Sequence, residues 1–240
     1  MLNKIFDNLK TLMIALFIAV LIRSLFFQPF YIPSSSMEPT LLVGDRIFVS
    51  KYTYGFSKHS FPFSPPIYNS RFFYNEPRRG DLIVFKTPID NRTDYIKRLI
   101  GLPGDTIEFL EGNLLINGKI VQREMVNSKY KNRCGPYKFD FNYYKEKLPN
   151  GTEYLIAYKK ENTFDVKNKY EVPNESYFLM GDNRDCSNDS RIGLGFVPKI
   201  NLVGKAQIVF FSNDTKKNSL LKFWNWHESI RTDRFFKKLK

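Results

Sequence analysis

The 240-residue chain is predicted to be mainly β, with one N-terminal transmembrane helix. Three observations point that way. The longest apolar run in the chain lies close to the N-terminus. Beyond it, short β-branched and aromatic runs recur between Gly and Pro turns. Hydrophobic residues make up 42% and aromatics 16% of the chain, enough for a packed body rather than a disordered one.

From Ile5 to Phe27 there are 23 residues, mostly apolar, and about 20 are needed to cross the hydrocarbon as a helix. The span is assigned to residues 8–28, with 1–7 as a cytosolic N-terminus. Arg23 sits near one end, where its stem can snorkel to the headgroups. A cleaved signal peptide fits less well, because bulky Phe26, Phe27 and Phe30 stand where a small-x-small site would lie. Lys4 and Lys10 favour an N-in orientation, which puts the rest of the chain outside the cytosol.

After the helix, Gly44-Asp45 reads as a turn and the residues up to 56 as a strand. Residues 57–80, rich in Pro, Ser, Phe and Arg, read as a loop. Strands are expected at 82–85, 95–100, 106–110 and 114–116, with turns at Gly80-Asp81, Gly112-Asn113 and Asn117-Gly118. Lys, Asn and Tyr dominate 123–171, which is read as a peripheral β insertion. It divides a catalytic β domain into 29–122 and 172–215. A basic aromatic tail occupies 216–240, with eight Lys or Arg against two acids, so +6 of the formal +13 lies there. Such a concentration of charge fits an anionic surface, and the interleaved aromatics fit a membrane interface. Cys134 and Cys186 can pair outside the cytosol, but two cysteines do not demand it.

The chemistry centres on residues 31–41. Ser34, Ser35 and Ser36 lie between Pro33 and Pro39, which keep this stretch short, stiff and non-helical. A nucleophile needs such fixed presentation. His59 and His227 are the only histidines, and neither sits beside a strand end. Lys97 lies mid-strand among aliphatic residues, with Ile96 expected on the opposite face. As a base it must drop from about 10.4 towards 7–8, a shift within reach of burial. Asp182, Asp185 and Asp189 lack the EF-hand spacing and have Arg184 and Arg191 nearby, so they read as ion-pairing groups, with no metal.

Four segments, in this order, resemble the signature boxes of bacterial type I signal peptidases (leader peptidases), a Ser/Lys-dyad serine protease family. They are Ser34-Ser35-Ser36-Met37-Glu38-Pro39-Thr40-Leu41, Arg79-Gly80-Asp81-Leu82-Ile83-Val84-Phe85, the run from Tyr95 to Asp105, and the run from Gly181 to Arg191. The resemblance implies a signal-peptidase-type β fold with Ser36 as nucleophile and Lys97 as general base. It implies an oxyanion hole from the Ser34 hydroxyl and the Ser36 backbone N–H. Ser187 would orient the lysine, while Asp182, Arg184, Asp189 and Arg191 would hold the loop. Phe30, Ile32, Met37, Leu41, Val84, Tyr95 and Ile96 would form the substrate pocket. Cys186 departs from the family, which often has Asn there. The implied partners are signal peptides of secreted pre-proteins and membrane phospholipid, with no nucleic acid and no cofactor. The implied place is the bacterial cytoplasmic (inner) membrane, single-pass, with the catalytic domain on the extracytoplasmic side. A self-cleaving Ser/Lys repressor fits less well, since residues 1–30 are a membrane span and not a DNA-binding helix pair. A silent membrane-tethered β module is disfavoured by the intact Ser36 and Lys97.

Overall fold

The structure is a computed structural model that describes residues 2–62, 64–65, 68, 70–135, 137–159, 168–214 and 229–239. Helix α1, Leu2–Leu25, carries the apolar run. It is long and apolar enough over Lys4–Leu25 to cross a membrane, and that stretch is not buried against the body. The helix and the expected span of 8–28 differ at both ends. The helix starts earlier, because residues 2–7 continue it, and stops at Leu25, because Phe27 already pairs with the sheet.

The main sheet has the strand order β1-β2-β14-β3-β4-β12-β13. Its strands are β1 (Phe27–Tyr31), β2 (Asp45–Ser50), β3 (Leu82–Lys86), β4 (Asp94–Gly101), β12 (Ser176–Met180), β13 (Val197–Pro198) and β14 (Leu202–Ser212). Strand alternation explains how one sheet serves two cores. On β3, Leu82 and Val84 pack with Ile32, Met37, Ile47 and Val209, whereas Ile83 and Phe85 pack with Tyr54, Leu99 and Leu179. A second sheet, β11-β5-β6-β7, comprises β5 (Thr106–Leu110), β6 (Asn113–Ile116), β7 (Lys119–Ile120) and β11 (Lys169–Glu171).

The insertion forms a third sheet, β10-β9-β8, from β8 (Gln122–Cys134), β9 (Tyr137–Lys147) and β10 (Glu153–Tyr158). It is less peripheral than expected. Tyr144, Tyr154 and Ile156 share a core with Ile107, Phe178 and Met180. Buried Arg184 forms a two-pronged pair with Glu146 of β9, which also accepts from the Tyr154 hydroxyl. A buried guanidinium so placed is held by the insertion, not by the aspartates near it in sequence.

Most of the basic tail, residues 216–228 and Lys240, lies outside the described residues, and with it His227 and both tryptophans. The end that is described docks on the body. β15, Lys237–Lys238, pairs with β14, Leu239 is buried, and Arg234 pairs with buried Asp45 at 2.5 Å.

Candidate active site

β1 ends at Tyr31, and the chain turns back to β2 through residues 32–44. The turn is closed at its base by the Ile32 N–H donating to Asp45 O and the Gly44 N–H donating to Ile32 O, both at 2.9 Å. Ser36 lies in that turn. Lys97 reaches it from β4, and Lys97 Nζ lies 2.7 Å from Ser36 Oγ. Lys97 is 3% exposed. Nζ also donates to the Ile96 carbonyl at 3.2 Å, so the side chain curls back along its own strand. Ser34 Oγ is 3.4 Å from Ser36 Oγ, beyond an ordinary hydroxyl hydrogen bond. It stands beside the Ser36 hydroxyl with its O–H uncommitted to it.

Burial pushes the Lys97 ammonium down to about 8, against the pull of Asp189 and Asp182. Two arginines limit that pull. Arg98, fully buried, grips Asp182 through Nε at 2.8 Å and NH2 at 2.7 Å. Arg191 grips Asp189 at 2.8 and 2.7 Å. Burial alone would raise the Asp189 carboxyl, but Arg191 and the Gly181 N–H hold it below its ordinary range. Each carboxylate is thus already matched by a guanidinium. Among nearby charges, Arg191 also disfavours the protonated lysine.

The loop from Gly181 to Arg191 braces Ser36 through Asn183. Its backbone N–H donates to Ser36 O at 3.1 Å, and its amide donates to Ser35 O at 3.0 Å and Arg133 O at 2.9 Å. Gly181 is required for space. A Cβ there would fall 2.2 Å from Ser187 Oγ and 2.5 Å from the Ser36 carbonyl oxygen. Neither Asn183 nor Gly181 was singled out by role from sequence. Both stand inside a recognisable motif, but their contacts with Ser35 and Ser36 reach across more than 140 positions. Ser187, expected to orient the lysine, has a buried Oγ with no hydrogen bond to Lys97. It packs against Gly181 and helps to hold the Asp189 carboxyl down.

Ser36 and Lys97 open onto a cleft of about 650 Å³. Phe30, Ile32, Met37, Val84, Tyr95 and Ile96 line it. Leu41 does not: it is fully buried behind Ile32 and Met37, in the same core cluster. Ile96 and Lys97 border the same cleft although they are adjacent in a strand. The reason is a half-paired strand. β3 pairs with β4 from Asp94 to Arg98, whereas β12 pairs only with Arg98, Leu99 and Gly101. Among the described residues, the other edge of 94–97 has no strand beside it. The cleft runs along that edge and meets side chains of both faces.

The far wall comes from the insertion. Arg133, Gly135 and Cys186 line the cleft, and Cys134 and Cys186 form a disulfide across 52 positions. It ties the tip of the β8–β9 hairpin to the loop that braces Ser36. The cysteine count left this open, since only the fold brings their Cα atoms within 5.3 Å. His59, the other candidate base, lines a different cavity.

The family described as "Signal peptidase, peptidase S26" matches residues 5–211. The chain belongs to that signal peptidase family. Signal peptidase I of Rickettsia typhi is 42% identical to it over 92% of this chain and 89% of that protein. Signal peptidase I of Rickettsia canadensis is 43% identical over 92% and 89%. A solved signal peptidase I from Enterococcus faecalis V583 is 29% identical, covers 55% of this chain and 97% of that one, and has a TM-score of 0.34. The signal peptidase I class therefore carries to this chain, and with the exposed apolar helix it fits a membrane-anchored enzyme.

Proposed function

We propose that this signal peptidase removes signal peptides from exported pre-proteins with Ser36 as nucleophile and Lys97 as a neutral general base. The observation that carries the reading is the 2.7 Å approach of a buried Lys97 Nζ to Ser36 Oγ. When Lys97 is neutral, its lone pair accepts the Ser36 O–H. Oγ then attacks the scissile carbonyl as the proton moves to Nζ. The Ser36 N–H and the Ser34 O–H donate to the developing oxyanion. Collapse expels the amine of the mature protein, which takes the proton back from Lys97. The same base then activates water to hydrolyse the acyl-enzyme.

The unpaired edge of 94–97 offers a place for an extended substrate to add as a strand. In an extended peptide, side chains two apart point the same way, so P1 and P3 meet one wall. That wall, with Phe30, Ile32, Met37 and Ile96, is crowded by large apolar groups. Shallow pockets follow, and with them small residues at P1 and P3. This is the small-x-small pattern of secretory cleavage sites.

Anchoring in the bacterial cytoplasmic membrane with the cleft on the outer side rests on three features. Lys4 and Lys10 lie in the N-terminal turns of the helix, against Arg23 alone near its other end. The body follows the helix directly. The Cys134–Cys186 bond suits an oxidising compartment. The test is cleavage of a pre-protein by the purified full chain in detergent. Ser36→Ala, Lys97→Ala and Lys97→Arg should each abolish it while the protein stays folded, the last because a guanidinium does not give up its proton. Near-wild-type turnover in any of them would refute the assignment.

A further inference from the structure

A second cavity, of about 460 Å³, adjoins the catalytic cleft and shares Phe30 and Asp94 with it. Its chemistry is different. Four cationic side chains, Arg23, Lys51, Lys86 and Arg92, border it with a single carboxylate, Asp94. Lys86 already occupies that carboxylate at 2.8 Å. Arg23 and Arg92 have no ion pair among the described residues.

Two buried groups make it a built site rather than a surface patch. Lys51 is 3% exposed, and its Nζ donates to the Ser60 carbonyl at 2.5 Å. His59 is 5% exposed; Nδ1 bonds Ser64 Oγ at 3.0 Å, while its buried Nε2 has no partner. Burial pushes the Lys51 ammonium down to about 8, and Arg23 and Lys86 push it further the same way. The cavity holds more positive charge than its own residues balance.

Its position says which anion would balance it. Arg23 stands in the last turn of α1, where the helix leaves the hydrocarbon, and Phe26 and Phe27 beside it are exposed. The cavity therefore opens at headgroup depth. Arginine forks and a lysine suit phosphate oxygens, and basic pockets beside membrane helices attract anionic lipid. We propose that this cavity binds the phosphate of an anionic phospholipid headgroup. A soluble phosphate offers the same oxygens; the membrane-helix arginine favours the lipid.

The experiment measures binding of phosphatidylglycerol to the full chain in neutral detergent micelles, with phosphatidylcholine as reference. Lys51→Met combined with Arg92→Gln removes two charges from the cavity. Lys237→Gln combined with Lys238→Gln removes two exposed charges from β15 and serves as the control. The cavity variant should lose about tenfold or more in phosphatidylglycerol affinity, and the control less than about threefold. Arg23→Gln alone, at an exposed position, should lower affinity in the same direction if the buried substitution disturbs folding. Equal losses in cavity and control variants, or no loss in the cavity variants, would overturn the site. Binding of inorganic phosphate to the cavity as tightly as phosphatidylglycerol would overturn the lipid as ligand. No cleavage is measured, so the outcome is independent of the peptidase reading.

Discussion

Lys97 and Lys51 are a matched pair of buried lysines. Each is 3% exposed, and burial is the largest force pushing each down to about 8. They differ in what they touch. Lys97 Nζ lies 2.7 Å from a serine hydroxyl at the edge of a cleft, with two arginine-matched carboxylates behind it. Lys51 Nζ lies 2.5 Å from a backbone carbonyl, among unbalanced cations. A carbonyl has no proton to give, so a lowered ammonium there has nothing to activate. A depressed lysine therefore marks burial, and only a neighbouring O–H would let it act as a base. The same shift in a cationic surrounding marks a place that would gain from an anion.

The comparison breaks most sharply under identical substitutions. Lys97→Met should lower kcat/KM by about 10⁴-fold, the upper range for loss of a general base. Lys51→Met should lower it by less than about tenfold. Comparable losses at both positions would remove the distinction. Within the cleft, Ser34→Ala should lower kcat by about 10²–10³-fold with little change in KM, because an oxyanion donor acts in the transition state. A raised KM with kcat spared would give Ser34 a binding role instead.

The brace around the cleft should matter next. Replacing Cys134 and Cys186 together by Ala opens a loop of about 52 residues, which should cost on the order of 2–4 kcal/mol of stability. Denaturant unfolding would measure it. Turnover should fall with it, since the bond holds the hairpin tip against the loop that carries Asn183. The smallest effect should be one of selectivity. Ile96→Ala should improve cleavage of substrates with one bulkier residue at P1 or P3 by about tenfold relative to wild type, on the scale of a methylene-sized pocket change. Unchanged preference in a folded variant would remove Ile96 from the pocket.

Much of the candidate site was legible because its residues stand together in local motifs. Ser36 between two prolines, Lys97 among aliphatics and the acidic loop all announce themselves within a few residues. The membrane helix was legible from length and composition. Its ends were not, because the helix runs back past Asp7, Lys4 and Asn3, and Phe27 is claimed by pairing with Ser50. What stayed hidden depends on contacts far apart in sequence. Glu146 reads as one acid among many lysines until the fold buries it against Arg184. Leu41 and Met37 look alike in a motif, yet only Met37 reaches the cleft. The basic cavity draws its four cations from α1, β3 and two loops, and none of those segments is unusual alone.

The measurement that bears most directly on the account is the pH dependence of kcat/KM for pre-protein cleavage, recorded for wild type and for Lys51→Met. The active form carries a neutral Lys97, so the rate should rise with pH and level off above the lysine's pKa. The account predicts a single limb with its midpoint at about 8 and an approximately tenfold loss per pH unit below it, unchanged in Lys51→Met. A limb near the ordinary lysine value of about 10.4, or one that moves when Lys51 is replaced, would contradict it.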